Sequence, residues 1–141
     1  MKSNDFYKSK AAKITGTSFH EVYRKAFLLY KELKSKTKRR PYIRSAYFKK
    51  EKVFLELFWI HLKEKNNLQD KTRRLKFFAC ATDLIRNSKV KPTIKKNPNR
   101  LSENLYRFNG LSKDNEVFYV QIKEGSKSKQ KWLISVFPDK K

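Results

Sequence analysis

The apolar residues of this chain change period near Leu101, and that switch limits the fold more than any other feature of the sequence. In the front half, Phe19, Val22, Tyr23, Ala26, Phe27, Tyr30 and Leu33 recur at the spacing of one α-helical face. Thr17 and Ser18 precede them, and Glu21 follows Ser18 by three positions to close a capping box, which predicts a helix over about 18–35. Basic residues continue from Lys36 to Arg40 until Pro41 breaks the segment. A second helix is expected over about 45–65, where Val53, Phe54, Leu55, Leu57, Phe58, Trp59, Ile60 and Leu62 leave no polar side and imply burial by several neighbours. A third is expected over about 68–88, with Leu75, Phe78, Thr82 and Ile85 at helical spacing, before Pro92 and Pro98 forbid continuation.

Beyond Leu101 the alternation is two. Tyr106 and Phe108 flank Arg107, and Phe118, Val120 and Ile122 alternate with Tyr119, Gln121 and Lys123. Strands are expected over about 103–109, 117–124 and 132–137, joined by turns rich in Asn, Gly, Ser and Lys and ended by Pro138. The expected fold class is α+β, with three N-terminal helices packed on a C-terminal antiparallel β-meander. Residues 17–141 are read as a single domain and residues 1–16 as a basic mobile arm.

Composition then bears on the partner. Thirty-six Lys and Arg oppose 13 Asp and Glu, for a formal net charge of +23. Self-repulsion at this density is relieved by a phosphate backbone, which neutralises the cations and releases counterions, so nucleic acid is the expected partner. A charged surface serving solubility alone is the plainer alternative, although that role is usually met by mixed signs. No membrane partner is expected, because no apolar stretch is long enough to span a bilayer. The 38% hydrophobic content supplies a core without disulfides, and Cys80 has no second cysteine to join. The first 16 residues lack an apolar signal region, and a cytoplasmic address is expected.

The chemistry-bearing motifs are few. Acidic residues are scattered, and His20 and His61 lie far apart, so neither a two-metal site nor a zinc site is expected. No Walker loop, dinucleotide fingerprint or nucleophile elbow is present, and no cofactor is expected. The polar face of the sheet is the candidate surface. With Phe118, Val120 and Ile122 inward, Tyr119, Gln121 and Lys123 face outward, and Arg107 and Ser135 join them in the simplest register. Such a group could hold a scissile phosphate and stabilise its developing charge, although a strand face turned to water is polar in any case. Arg39, Arg40, Tyr42 and Arg44 form a second candidate, since guanidinium forks match phosphate oxygens and a tyrosine can stack on a base. Lys96 and Arg100 precede the first expected strand, while Arg73 and Arg74 either extend the basic surface or simply solvate the third helix.

The stretches RRPYIRSAYFKKEKVFLELFW, RRLKFFACATDLIRNSK, NPNRLSENLYRFNG, FYVQIKE and SVFP resemble a group of small bacterial and phage-associated proteins related to the barnase/EndoU/colicin/RelE-like nuclease superfold. The resemblance implies a RelE/barnase-like sheet preceded by helices. It also implies metal-independent cleavage of RNA through 2′-hydroxyl attack, in a toxin or mobile-element setting. On this resemblance Arg107, Gln121, Lys123 and Ser135 match the family's polar strand positions, and Tyr106 stands where relatives often carry a histidine. Tyr106 would then handle a proton while Arg107 and Lys123 stabilise the phosphorane. The leading expectation is a metal-independent endoribonuclease acting on RNA rather than DNA. A non-catalytic nucleic-acid-binding module is the alternative, and an acidic antitoxin or immunity protein is a third kind of partner.

Overall fold

A computed structural model describes residues 5–139. Four helices and seven strands make up the described chain, and the strands form one mixed sheet that curls into a half-barrel. This corrects the expected three helices followed by a meander: a strand comes first, and the helices occupy the middle. The order is β1 (Tyr7–Lys8), α1 (Phe19–Ser35), β2 (Tyr42–Ser45), β3 (Glu51–Phe54), α2 (Glu56–Glu64), α3 (Leu68–Lys76), α4 (Phe78–Asn87), β4 (Thr93–Asn97), β5 (Arg100–Leu111), β6 (Val117–Glu124) and β7 (Lys131–Pro138).

The sheet runs β1-β5-β6-β7-β3-β2, and β4 shares an edge of β5 with β1. The β5-β6-β7 portion is the expected antiparallel meander. It is extended by β3, which joins β7 in parallel, and by the β2-β3 hairpin.

Each departure from expectation has a local cause. The segment expected as one long helix over about 45–65 divides into a hairpin and α2. In the hairpin, Ile43, Ser45 and Val53 are buried while Arg44 and Lys52 are exposed, a period of two. Its turn places Lys49 and Lys50 at positive φ, 56° and 68°, which ends any helix there. An apolar run this short cannot be assigned to strand or helix by periodicity alone. The expected third helix is divided at Phe77, which ends α3 and begins α4. β4, in the basic segment expected to precede the first strand, is an exposed edge strand paired with β5, so no apolar alternation marks it.

The first helix forms as its capping box predicts. Ser18 accepts a hydrogen bond from the Glu21 amide at 3.2 Å, and the Glu21 carboxylate accepts one from the Thr17 amide at 3.2 Å. Residues 5–16 of the expected mobile arm lie against the fold, while its residues 1–4 lie outside the described part. Tyr7 Oη, Ser9 Oγ and the Lys10 amide all donate to Asp83 Oδ2, at 2.8, 3.1 and 3.0 Å, tying β1 to α4.

The helices cover one face of the sheet, which we call the inner face. Phe118, Val120, Ile122, Leu133 and Val136 enter the core from that face with Phe78, Leu75 and Leu84 above them. Phe77 stacks on Phe118 at 5.3 Å and Phe58 on Phe78 at 5.4 Å. Gly110 is required by this packing, because a methyl group there would sit 2.5 Å from the Phe118 ring.

Candidate nucleic-acid interface

Strand alternation sends every second side chain to the opposite, outer face, and the register aligns those side chains into rows. One row crosses six strands: Lys95 (β4), Leu105 (β5), Lys123 (β6), Trp132 (β7), Phe54 (β3) and Tyr42 (β2) are successive partners. At roughly 4.8 Å per strand, it is about 24 Å long. A parallel row runs Thr93, Arg107, Gln121, Ser135, and a third runs Asn109, Tyr119, Phe137. None of these side chains is buried.

Cations lie against aromatic rings at several points of this face. Lys123 Nζ lies 5.3 Å from the Trp132 ring centre, Arg107 Cζ 5.2 Å from Tyr119, and Lys52 Nζ 4.7 Å from Tyr42. Tyr119 and Phe137 are in contact at 5.3 Å. Arg74 reaches the part of β7 beyond its pairing with β3 from α3. Its Cζ lies 5.7 Å from Phe137, and its Nη1 donates to Ser135 Oγ at 3.0 Å. Beside the second row lies a depression of ≈130 Å³ lined by Thr93, Lys95, Leu105, Arg107 and Gln121.

The structure therefore brings together Arg107, Gln121, Lys123 and Ser135, and with them Tyr119, Tyr42 and Arg74 of the expected binding set. It does not bring Tyr106 to them. Tyr106 precedes Arg107 by one residue in an extended strand, so it points to the inner face. There its Oη donates to Glu124 Oε1 at 3.2 Å, and its ring meets Phe48 edge-on at 4.9 Å. Burial first, and then the Glu124 carboxylate, raise the Tyr106 phenol above its ordinary value of 10.0, the wrong direction for a general base. The role assigned to Tyr106 beside Arg107 and Lys123 is corrected by this geometry. The alternation of Tyr106 with Arg107 was itself the signal that separates them.

The remaining expected contacts divide. Arg40 is committed to Glu56 through paired hydrogen bonds of 2.9 and 2.6 Å from Nε and Nη2, and its guanidinium lies 4.1 Å over the Phe54 ring. Arg44 donates to the Lys50 carbonyl at 3.0 Å and lies 5.5 Å from the Tyr42 ring. Arg39 is exposed next to this end of the sheet. Lys96 points away from Lys95 and the outer face, Arg100 lies 3.8 Å from the Glu103 carboxylate, and Arg73 is exposed on α3, 3.7 Å from Asp70. These three are not part of the rows.

Sequence reasoning missed Trp132, Phe54, Lys52 and Phe137, and reached Lys95 only as part of a basic segment that could flank the sheet. Trp132 was legible, because it alternates with the buried Leu133, whereas Phe137 shares its face only because β7 bulges at Ile134. Phe54 and Lys52 were hidden by the helical reading of their segment.

The inner face carries its own polar group. Lys131 is 5% exposed, and its Nζ lies 2.6 Å from Glu51 and 3.2 Å from Glu124 and donates to the Lys129 carbonyl at 3.0 Å. Burial would push the Glu124 carboxyl up, but hydrogen bonds from Asn104 and Lys131, and the Lys131 charge, hold it below its ordinary value. Among the described residues no three His, Cys, Asp or Glu side chains gather as a metal site, and no helix is long and apolar enough to cross a membrane. No protein-family model, curated protein or solved structure matches this chain.

Proposed function

We propose that this protein binds single-stranded nucleic acid, RNA in preference to DNA, across the outer face of its sheet. The observation that carries the reading is the six-strand row in which Trp132, Phe54 and Tyr42 stand in succession after Lys123, with Lys52 and Arg40 against the rings of Tyr42 and Phe54. Exposed rings on a sheet receive unstacked bases, and the cations beside them receive the linking phosphates. The +23 charge supplies the long-range attraction that such binding needs. A duplex offers its base faces only at its ends, so the surface favours single strands.

A second reading rests on the cluster of Arg107, Gln121, Lys123 and Ser135. These groups could stabilise a phosphorane as the resemblance to the RelE/barnase-like nucleases implies. Without Tyr106 on that face the cluster lacks the group expected to handle a proton, which favours binding over cleavage.

Both readings meet one experiment. Purified protein is mixed with single-stranded RNA and with its duplex in EDTA, separated for mobility, and the RNA is recovered and sized. Binding reads as retardation of the single strand well before the duplex, with the RNA recovered intact. Fragments ending in cyclic phosphate and lost in Lys123→Ala would establish cleavage instead, and equal retardation of both RNAs would overturn the single-strand reading.

A further inference from the structure

The outer row ends at β2 in a groove of ≈460 Å³ that differs in charge from the rest of the face. Tyr42 and Phe54, the last two members of the row, line it together with Lys36, Lys38, Arg39 and Lys52. Among the described residues Lys38, Arg39 and Lys52 have no ion-pair partner, and Lys36 has only an exposed contact of 3.6 Å with Glu32. Arg40 also lines the groove, but Glu56 already neutralises it.

Elsewhere on the face, among the described residues, unpaired positive charges are fewer: Lys95 and Arg107 share the smaller depression, and Arg74 is paired with Asp70. Lys95 and Lys123 are separated in their row by Leu105, and Arg107 is followed in its row by neutral Gln121 and Ser135. That spacing suits an internal strand, in which each phosphodiester carries a single negative charge. The groove offers three or four cations around two rings, a surplus for one diester. A terminal phosphate monoester carries about 1.5 to 2 negative charges and three acceptor oxygens. The base next to it would continue the aromatic row, because Phe54 is the register partner of Trp132.

We infer that this groove receives the phosphorylated end of the strand whose bases lie on the outer face. The inference rests on the binding function proposed above. Its chemistry is that of a phosphate monoester, which either the 5′ or the 3′ end can supply.

Calorimetric titrations of the full-length protein with three otherwise identical short oligouridylates test it: one with hydroxyls at both ends, one with a 5′-phosphate and one with a 3′-phosphate. One phosphorylated form is expected to bind about tenfold more tightly than the hydroxyl form. Its affinity should also fall more steeply with salt, by roughly one unit of log–log slope. In Lys38→Ala/Arg39→Ala, both positions exposed, the affinities of the hydroxyl and phosphorylated forms should converge. Equal affinity of all three for the unaltered protein overturns the inference and leaves the outer-face reading standing. A preference that persists in the double variant overturns the assignment to this groove. Binding of none of the three overturns the outer-face reading itself.

Discussion

Trp132 stands in the six-strand row between Lys123 and Phe54, partly exposed and in contact with a lysine ammonium. Stacking of one base on such a ring contributes about 1–3 kcal/mol, so Trp132→Ala should weaken single-stranded RNA binding about tenfold or more without unfolding the protein. Fluorescence anisotropy and circular dichroism, measured together, check both halves of that statement. Tyr106 makes the opposite case. Since it hydrogen-bonds Glu124 on the inner face, Tyr106→Phe should leave RNA affinity within about twofold, and a larger loss would put Tyr106 in the interface. Lys131 is a structural cation, because removing it strands the mostly buried Glu124 carboxylate without its counter-charge. Lys131→Ala should lower unfolding stability by about 3 kcal/mol in urea denaturation, and a loss below roughly 1 kcal/mol would mean that Asn104 and Tyr106 suffice.

Among the elements, β1 is held by the least structure and the most specific chemistry. Its two residues pair with the end of β5, and Asp83 on α4 gathers the Tyr7 hydroxyl, the Ser9 hydroxyl and the Lys10 amide. Burial would raise the Asp83 carboxyl, but those hydrogen bonds, with one from Asn87, outweigh it and hold it below 3.8. A carboxyl depressed on folding contributes stability that is complete above its unfolded value and is lost as pH falls through its folded value. Acid titration should therefore loosen β1 below pH 3.8, read as faster amide exchange at Ser9, whose N–H donates to the Leu111 carbonyl. Asp83→Asn should lack this acid step, and an identical pH profile for both proteins would contradict the account. The same elements show what a sequence discloses. α1, β5 and β6 were legible because one buried face gives each a clean period, and β7 because its short apolar run ends at Pro138, although a bulge interrupts its alternation. The β2-β3 hairpin was not, since its short strands run directly into the apolar helix α2. Nor was β4, whose place depends on a distant partner rather than on its own side chains. Arg107, Gln121 and Lys123 could be grouped on the outer face from alternation alone, whereas Ser135 joins them through the bulge in β7, and the continuation through Phe54 and Tyr42 required the parallel pairing of β3 with β7.

At the scale of the whole molecule, the helices occupy one face of a curled sheet and leave the other as the larger continuous display of rings and cations. The charge is unevenly used. Several cations are tied to carboxylates, as Arg40 is to Glu56 and Lys131 is to Glu51 and Glu124, while Lys95, Arg107 and Lys123 remain on the outer face. Three phosphates neutralised there predict a log–log salt slope of about −2 for single-stranded RNA, made shallower by roughly 0.7 in Lys123→Ala. The central claim is that bases stack on this face, and tryptophan emission during titration with single-stranded RNA tests it most directly. Trp59 is 6% exposed within the core, which leaves Trp132 to report contact with RNA. The account predicts saturable quenching that follows binding and disappears in Trp132→Phe. RNA bound by anisotropy with tryptophan emission unchanged would contradict it and place the interface elsewhere on the molecule.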